Sequence, residues 1–249
     1  DVTLYWQVEA QPEAHHSLAL QLVSAVPGEE SMLSNFNTWT GGGIYPTGFW
    51  RPGEVIVDGY RWRLPGFVPH AQGWELTAVL YDLATGERLG DPVQLGLVRV
   101  GASDPARDAP SSEQRLDDPV DFGQAIRLAG LEMTPAGDDQ LRVTLWWRAT
   151  APLPTDLTTF VHIYDAEGAL LVTGDGPPLN GGFSTSLWAP GDYVPDVRTL
   201  DLPAEAARPL RLGVGWYHPE TGERLPVVAD DAGAPLPDAA FYQQIPRSD

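Results

Sequence analysis

The stretch Trp188-Ala-Pro-Gly-Asp192 has a second copy in the first half of the chain, Trp50-Arg-Pro-Gly-Glu54. The similarity continues upstream, where residues 43–50 align with residues 181–188. Such self-similarity within one chain is typical of a repeated structural unit. The sequence therefore predicts two tandem domains that share one scaffold.

Two more pairs of segments align at a similar spacing. Tyr81–Leu89 matches Tyr217–Leu225, and Leu4–Trp6 matches Leu145–Trp147. The matched positions lie about 140 residues apart, which is the size of an ordinary domain. A chain of 249 residues is long enough for two such domains, each with its own core.

The segments around these motifs alternate between apolar and polar residues, as strands do. Leu18, Leu20 and Leu22 recur at every second position, and Trp74–Tyr81 alternates as well. The chain also contains 24 Pro and 26 Gly, which interrupt it too often for long helices. We predict an all-β fold of two antiparallel β-sandwiches, immunoglobulin-like or jelly-roll-like, with almost no helix.

Local composition sets the expected boundaries. Residues 104–119 contain Pro and small polar residues without an apolar period, and this indicates a linker. The first domain is then residues 1–103 and the second is residues 120–249. Residues 27–43 are rich in turn-forming residues and are expected to be irregular, whereas Tyr60–Leu64 alternates as a strand does.

The second domain opens with an expected strand, residues 122–131, that has no counterpart before Leu4. If the two domains are equivalent, the first lacks its opening strand. We expect the equivalent residues either to precede Asp1 in a longer parent protein or to come from a neighbouring chain. Near the end of the chain, residues 204–207 are expected to form a loop or a single helical turn.

Charge and composition exclude several classes of function. The chain has 34 acidic and 15 basic residues, a net charge of −19, and every basic residue is Arg. Phosphate backbones and anionic membranes repel such a surface, so nucleic acid is not an expected partner. Cysteine is absent, which excludes disulfides, cysteine-ligated zinc and thiol catalysis. No apolar run approaches the roughly 20 residues that span a bilayer, so we expect no membrane insertion by this chain.

Residues that both copies share are expected to serve the scaffold. Trp50 and Trp188 are expected to be buried anchors, since burying an indole contributes on the order of a few kcal/mol. Short polar side chains beside the turns, such as Thr47 and Thr185, are expected to bond to backbone groups. The shared structural set is Trp50, Pro52, Gly53, Asp58, Trp188, Pro190, Gly191 and Asp196.

The second copy has titratable residues where the first has amides. His162 and Asp175 align with Gln21 and Asn37, which cannot titrate or bind a metal in the same way. A His between two apolar residues of a strand is more often a hydrogen-bonded structural residue than a catalyst. Both a structural and a ligand-binding role therefore stay open for His162 and Asp175.

Trp39 has no aromatic counterpart in the second copy. It lies in Asn37–Gly41, within a glycine-rich loop, and binding residues concentrate on loops that a rigid scaffold holds. An exposed indole face suits the C–H face of a sugar ring. The alternative is that Trp39 packs back over its own loop. The candidate ligand-binding residues are therefore Trp39, Asn37, His162 and Asp175.

Standard catalytic signatures are absent from the sequence, including G-x-S-x-G, the P-loop and H-E-x-x-H. A pair of glycosidase carboxylates stays open, because any two of 34 acidic residues could converge. Asp165 and Glu167 flank a predicted hairpin turn and are the candidates for a Ca²⁺ site, although acidic residues are common in turns. No other cofactor is expected.

Four motifs of the second copy resemble motifs of a known protein family. They are Thr159–Gly168, Asp175–Pro178, Thr185–Asp192 and Tyr217–Leu225. Together they are similar to the extracytoplasmic β-sandwich repeats at the C-terminal end of many bacterial polytopic membrane glycosyltransferases of the lipid-carrier-dependent type. The motifs are specific for this type of domain and not for any reaction.

The resemblance covers nearly all of the second copy and, more loosely, the first, which departs from it at Gln21, Ser24 and Asn37. It implies an exported, bacterial module outside the cytoplasm. It also implies that the module is not catalytic, because the transferase chemistry of such proteins belongs to their membrane-embedded part.

Three hypotheses for function follow. The first is an accessory or interaction module of a larger surface or membrane protein, which binds a glycan or a partner domain. The second is a structural repeat of a surface layer or filament, which self-assembles when a neighbouring chain completes the missing strand. The third is a carbohydrate-active enzyme.

Overall fold

A computed structural model of the chain describes residues 1–64, 66, 68, 70–137, 139–203, 209–228 and 237–246. The protein is all-β, and no helix in these residues is longer than four residues. None of them is long and apolar enough to cross a bilayer. The chain separates into two compact units: unit 1 is Asp1–Pro69 with Gly73–Val100, and unit 2 is His70–Gln72 with Gly101–Asp249. The expected helical turn at 204–207 lies outside the described residues.

Unit 1 consists of a four-stranded and a two-stranded sheet. Its strands are β1 (Val2–Gln7), β2 (His16–Ser24), β3 (Met32–Trp39), β4 (Val55–Tyr60), β5 (Gln72–Asp82) and β6 (Val93–Val100). The larger sheet has the order β3-β2-β5-β6, and the smaller one pairs β1 with β4. Short 3₁₀ turns at Thr40–Gly43 and Thr47–Phe49 connect β3 to β4.

Alternate residues of unit 1 form a small core. Val2, Leu4 and Trp6 of β1 pack against a cluster that includes Leu18 and Leu20 of β2. Because side chains alternate across a strand, the intervening residues of β1 face solvent. The two sheets of unit 1 therefore pack face to face through one face of each.

The described residues of unit 2 form a short helix, α1 (Pro105–Asp108), and nine strands. The strands are β7 (Arg115–Phe122), β8 (Ile126–Gly137), β9 (Gln140–Ala149), β10 (Thr158–Tyr164), β11 (Leu170–Thr173), β12 (Tyr193–Asp201), β13 (Arg211–Tyr217), β14 (Val227–Val228) and β15 (Phe241–Gln244). One sheet has the order β12-β9-β8-β7-β14 and the other β11-β10-β13-β15. Further 3₁₀ turns lie at Pro178–Gly181, Thr185–Leu187 and Pro237–Ala239.

The core of unit 2 is larger and fully closed. Leu145 and Trp147 of β9 are inaccessible to solvent, as are Val161 and Ile163 of β10 and Trp216 of β13. The Trp147 and Trp216 rings meet edge to face, with centroids 4.9 Å apart, which is a favoured aromatic geometry. Unit 2 is an antiparallel β-sandwich around these side chains.

Residues 27–43, expected to be irregular, contain the eight-residue strand β3, so that expectation was wrong. Phe36 pairs with Leu20 of β2 and faces inward, while Asn35, Asn37 and Trp39 face outward. Asn35 and Asn37 are on this face because it is exposed to solvent, and β3 is also the edge strand of its sheet. Ser and Asn at these positions read as turn formers in the sequence, although edge strands tolerate them.

The expected strand at Tyr60–Leu64 is also absent. Strand β4 ends at Tyr60, which pairs with Val2, the first residue of β1. Trp62 lies beyond the strand, and its ring stacks on Phe36 with centroids 5.9 Å apart. Tyr60 and Trp62 do share the inward orientation that the alternation indicated, but the backbone pairing stops before Trp62.

Residues 104–119, expected to be a linker, lie within unit 2 and contain α1 and the first half of β7. The expected strand at residues 122–131 is not one strand: it contains the end of β7, a turn and the first residues of β8, and β7 and β8 form a hairpin. The chain reverses there because Gly123 adopts φ +57°. Asp108 anchors the segment: it is buried and accepts hydrogen bonds from Arg107 and from the Asp104 backbone N–H.

The Asp108 carboxylate also lies 2.7 Å from Nδ1 of His70, within unit 2. Burial raises the pKa of a carboxyl group, but the hydrogen bonds from Arg107, the Asp104 amide and His70 outweigh burial and hold the pKa of Asp108 well below its usual range. A segment without apolar periodicity is therefore fixed in unit 2 by a buried, charged contact.

Candidate functional site

The Trp-x-Pro-Gly motif forms a corner with the same contacts in both units. Nε1 of Trp50 donates to the Tyr45 carbonyl at 2.8 Å, and Nε1 of Trp188 donates to the Phe183 carbonyl at 3.0 Å. Both indoles are buried. Each indole thus closes a turn through its N–H while its ring packs in the core of its own unit.

The Pro-Gly turns after the two tryptophans are equivalent as well. Gly53, after Pro52, adopts φ +88°, and Gly191, after Pro190, adopts φ +98°. The N–H of Gly53 bonds to the Val8 carbonyl, as that of Gly191 bonds to the Ala149 carbonyl, each at 2.8 Å. A left-handed backbone favours glycine, which explains why both copies contain it here.

One threonine ties each corner to a neighbouring segment. Thr47 donates to the Ala14 carbonyl and accepts from the His16 backbone N–H. Thr185 donates to the Thr155 carbonyl and accepts from the Leu157 backbone N–H. Each hydroxyl uses both its donor and an acceptor site inside the protein, and this is a structural role.

Asp58 and Asp196 both accept a backbone N–H from the turn before the corner. Gly41 donates to Asp58 at 2.8 Å, and Leu179 donates to Asp196 at 2.9 Å. The second partner differs between the units. In unit 1 the Tyr60 hydroxyl donates to Asp58, whereas Arg198 occupies the corresponding position in unit 2.

Arg198 is the centre of a buried network that the sequence did not reveal. It bonds to Asp196 at 2.9 Å and to the carbonyls of Gly176 and Pro177 and the hydroxyl of Thr159. Burial raises the pKa of Asp196, while the charge of Arg198 and the surrounding hydrogen bonds oppose that rise. The strand period of two could have paired Arg198 with Asp196, since residues two apart share a face.

His162 and Asp175 lie together on the outer face of the sheet that contains β10. Nε2 of His162 is 2.7 Å from Oδ1 of Asp175, and Nδ1 is 3.1 Å from the Tyr164 hydroxyl. Tyr217 also bonds to Asp175, and burial together with that carboxylate raises the pKa of Tyr217. Both nitrogens of the buried imidazole thus have partners within unit 2.

Two glycines make room for the aromatic rings around His162. A Cβ on Gly213 would lie 2.8 Å from the Tyr164 ring and 2.9 Å from the Tyr242 ring. A Cβ on Gly215 would lie 2.3 Å from the ring of Phe160. These glycines of β13 therefore serve close packing.

The candidate calcium residues lie at a tight turn. Asp165 accepts a hydrogen bond from the Ala169 backbone N–H at 2.7 Å, which closes the hairpin between β10 and β11. Glu167 is exposed at the tip of the same turn. Among the described residues, no group of three or more His, Asp or Glu side chains is arranged to hold a metal ion.

Trp39 is the last residue of β3, and not part of the glycine-rich loop that follows it. Its side chain is 54% exposed. Asn35 and Asn37 lie on the same outward face, and the Asn35 amide donates to the Asn37 amide at 3.3 Å. We call Asn35, Asn37 and Trp39 the tryptophan strip. The other candidate pair, His162 and Asp175, belongs to unit 2.

Unit 2 has a cleft of about 620 Å³ beside its corner. Asp156, Ser186, His218 and Glu220 are among the residues that line it. Asp156 accepts a hydrogen bond from the Ser186 backbone N–H at 3.0 Å, and in unit 1 the ring of His15 accepts one from Gly48 in the same way. Sequence reasoning missed this cleft, because its residues come from three separate loops.

A scan against protein-family models finds no match for this chain, and a search of curated proteins finds none either.

Proposed function

We propose that the chain is a non-catalytic, extracytoplasmic interaction module of a larger bacterial surface or membrane protein, and that the tryptophan strip is its glycan-binding surface. The observation that carries the proposal is the half-exposed indole of Trp39 on the outward face of an edge strand. The location outside the cytoplasm rests on the resemblance of the unit 2 motifs to exported repeat domains.

The geometry of the strip supports a ligand with both apolar and hydroxyl-rich surface. The indole of Trp39 offers a flat apolar face, while the amides of Asn37 and Asn35, two and four residues earlier, offer donors and acceptors along the same line. Protein sites that combine a rigid aromatic surface with a few polar groups fix both the position and the orientation of a ligand. A pyranose ring with its hydroxyls fits that combination.

Charge supports a neutral or cationic ligand. The strip has no charged side chain, and the net charge of the chain is −19. An anionic polysaccharide would therefore be repelled at long range, to an extent that depends on ionic strength. We expect neutral glycans to bind in preference to uronic acid polymers.

A structural role for His162 and Asp175 supports the assignment of binding to unit 1. The imidazole of His162 has hydrogen-bond partners at both nitrogens, and Asp175 bonds to His162 and Tyr217. These side chains would have to break internal hydrogen bonds before they could bind a ligand, which costs free energy. The ring of Trp39 is already exposed, and the hydrogen bond between Asn35 and Asn37 is itself exposed to solvent.

The test is binding of the whole chain to a glycan array, followed by titration with the best neutral oligosaccharide. Trp39→Ala is expected to weaken binding by more than about tenfold, as for an aromatic anchor at a binding site. Phe49→Ala is the matched control, because Phe49 is a 61% exposed aromatic residue of unit 1 outside the strip. It should leave binding unchanged.

The same array can contradict the proposal. Binding that survives Trp39→Ala and is lost with His162→Gln would assign the site to unit 2. Hydrolysis of an array sugar that a single Asp or Glu substitution abolishes would identify an enzyme instead.

A further inference from the structure

Strand β1 of unit 1 pairs with β4 in the same register in which strand β9 of unit 2 pairs with β12. Leu4 lies opposite Asp58, as Leu145 lies opposite Asp196. The other side differs. Strand β9 also pairs with β8, whereas β1 pairs only with β4 in the described part of the chain. One edge of β1 is thus open where the edge of β9 is covered.

The backbone groups that face the open edge can be assigned. The N–H of Val8 bonds to the Glu54 carbonyl and the carbonyl of Val8 accepts from Gly53, so Val8 faces the β4 side. Backbone groups alternate in direction along a strand. The N–H and C=O groups of Thr3, Tyr5 and Gln7 therefore point to the open edge.

Beside this edge lies an apolar groove of about 380 Å³. Leu4 and Trp6 of β1, Leu80 of β5, and Leu89, Val93 and Leu95 are among its lining residues. Val93 is 60% exposed. Several apolar side chains that share one groove and remain exposed are typical of an interaction site.

In unit 2, the strand that covers the matching edge shows which side chains suit such a groove. Ile126 and Leu128 of β8 are inaccessible to solvent, and Leu128 lies opposite Trp147, the residue that aligns with Trp6. Between them, Arg127 faces outward and pairs with Asp121 at 2.6 Å. The pattern is a strand with apolar residues at every second position and a basic residue between them.

We propose that the open edge of β1 and its groove bind an extended segment of a partner protein, which adds a strand antiparallel to β1. Its alternate apolar side chains enter the groove, and the backbone groups of Thr3, Tyr5 and Gln7 bond to it. Its outward side chains are neutral or basic, because the chain has a net charge of −19. Main-chain bonds of this kind supply affinity, and the pockets for alternate side chains supply specificity.

The test uses the whole chain and a synthetic peptide with the sequence of residues 124–134, which includes Ile126, Leu128 and Leu131. Amide hydrogen exchange is measured with and without the peptide. We expect the amides of Thr3, Tyr5 and Gln7 to exchange at least about tenfold more slowly with it. The same peptide with Asp at the positions of Ile126 and Leu128 should give no protection.

A pair of proline variants separates edge pairing from loss of folding. Tyr5 and Val57 lie opposite each other, and their N–H groups point to opposite edges of the β1-β4 sheet. Tyr5→Pro is expected to weaken peptide binding by about tenfold or more, because it removes a donor at the open edge. Val57→Pro, the matched control, removes a donor at the far edge and should leave binding unchanged.

Three results would overturn the proposal. The first is peptide binding without protection of the β1 amides. The second is protection of the β9 amides, which would mean that the peptide displaces β8 in unit 2. The third is concentration-dependent protection of Thr3, Tyr5 and Gln7 without any peptide, which would identify a second copy of the chain as the occupant.

Discussion

The two units share a corner, yet they differ in how completely each is closed. Trp50 and Trp188 make the same indole hydrogen bond, and Asp58 and Asp196 bond to the same turn. In the described residues, the sheet at this corner has five strands in unit 2 and two strands in unit 1. The scaffold contacts are thus independent of how well the surrounding sheet is closed.

The difference appears in burial at matched positions. Leu145 and Trp147 are fully buried in unit 2, while Leu4 and Trp6 in unit 1 keep part of their surface exposed. Burying apolar surface is the main stabilising contribution to a small domain. Unit 1 should therefore be the less stable unit, and each substitution below compares a residue of unit 2 with its counterpart in unit 1.

The largest effect is expected from the indoles. Trp188→Ala should destabilise unit 2 by about 4 kcal/mol, because it leaves a cavity against Trp216 that the closed core cannot fill. Trp50→Ala should cost about 2–3 kcal/mol, since Trp6 lies beside an open groove and can relax. Urea titration with amide hydrogen exchange measures each unit separately. Equal costs would contradict the difference in closure.

The next comparison concerns the partners of the two aspartates. Arg198→Met should destabilise unit 2 by about 3 kcal/mol, because it leaves Asp196 buried and uncompensated. Tyr60→Phe should cost unit 1 only about 1 kcal/mol, since Asp58 loses one neutral donor and keeps Gly41. The same exchange experiment measures both. A loss for Tyr60→Phe as large as that for Arg198→Met would contradict the predicted difference between a neutral and a charged partner of the buried aspartate.

The third prediction concerns Asp108, which holds residues 104–119 in unit 2. Asp108→Asn should destabilise unit 2 by about 2 kcal/mol near pH 7. The pKa of Asp108 in the folded protein is below its usual value, so the carboxylate stabilises the fold above that value and the stability is lost as pH falls. The difference between wild type and variant should therefore shrink below about pH 4.

Urea unfolding of Asp108→Asn and wild type at several pH values measures this dependence. The isosteric change keeps the volume of the side chain, so packing is controlled. A difference that grows as pH falls below about 4 would have the wrong sign and would exclude the proposed role of the carboxylate.

The smallest effect is expected at the turn before the corner. Asn180 adopts φ +54°, and Gly42 adopts φ +59° at the matching position. Asn180→Gly should change the stability of unit 2 by less than about 1 kcal/mol, because Asn tolerates the left-handed region. Gly42→Asn should be equally mild, since no atom lies within 4 Å of its added Cβ. Thermal unfolding of both variants is sufficient to check this.

The sequence predicted the all-β class and most strand positions, because apolar residues alternate with polar ones there. It did not predict β3, whose outward Asn35 and Asn37 resemble turn residues. It also merged the end of β7 with β8, because one glycine, Gly123, is the only local signal for the reversal. Elements that depend on pairing partners rather than on their own pattern were the ones missed.

The candidate site was predictable in part. The alignment of the two copies selected His162 and Asp175 as candidates but did not predict that they pair, and the structure brings their side chains to 2.7 Å. Arg198 and the Asp156 cleft were missed, because their partners come from distant segments. Whether Trp39 is exposed or packs over its loop was undecidable from sequence, since burial depends on what else covers β3.

The central claim is that unit 1 has an open strand edge where unit 2 has a covered one. Hydrogen exchange of the free chain tests it most directly at matched amides, Thr3, Tyr5 and Gln7 against Thr144, Trp146 and Arg148. We predict fast exchange for the three amides of β1 and slow exchange for the three amides of β9. The amides of Leu4 and Trp6, whose N–H groups point toward β4, should exchange more slowly than those of their neighbours in β1. Equal protection of the two sets would contradict the claim.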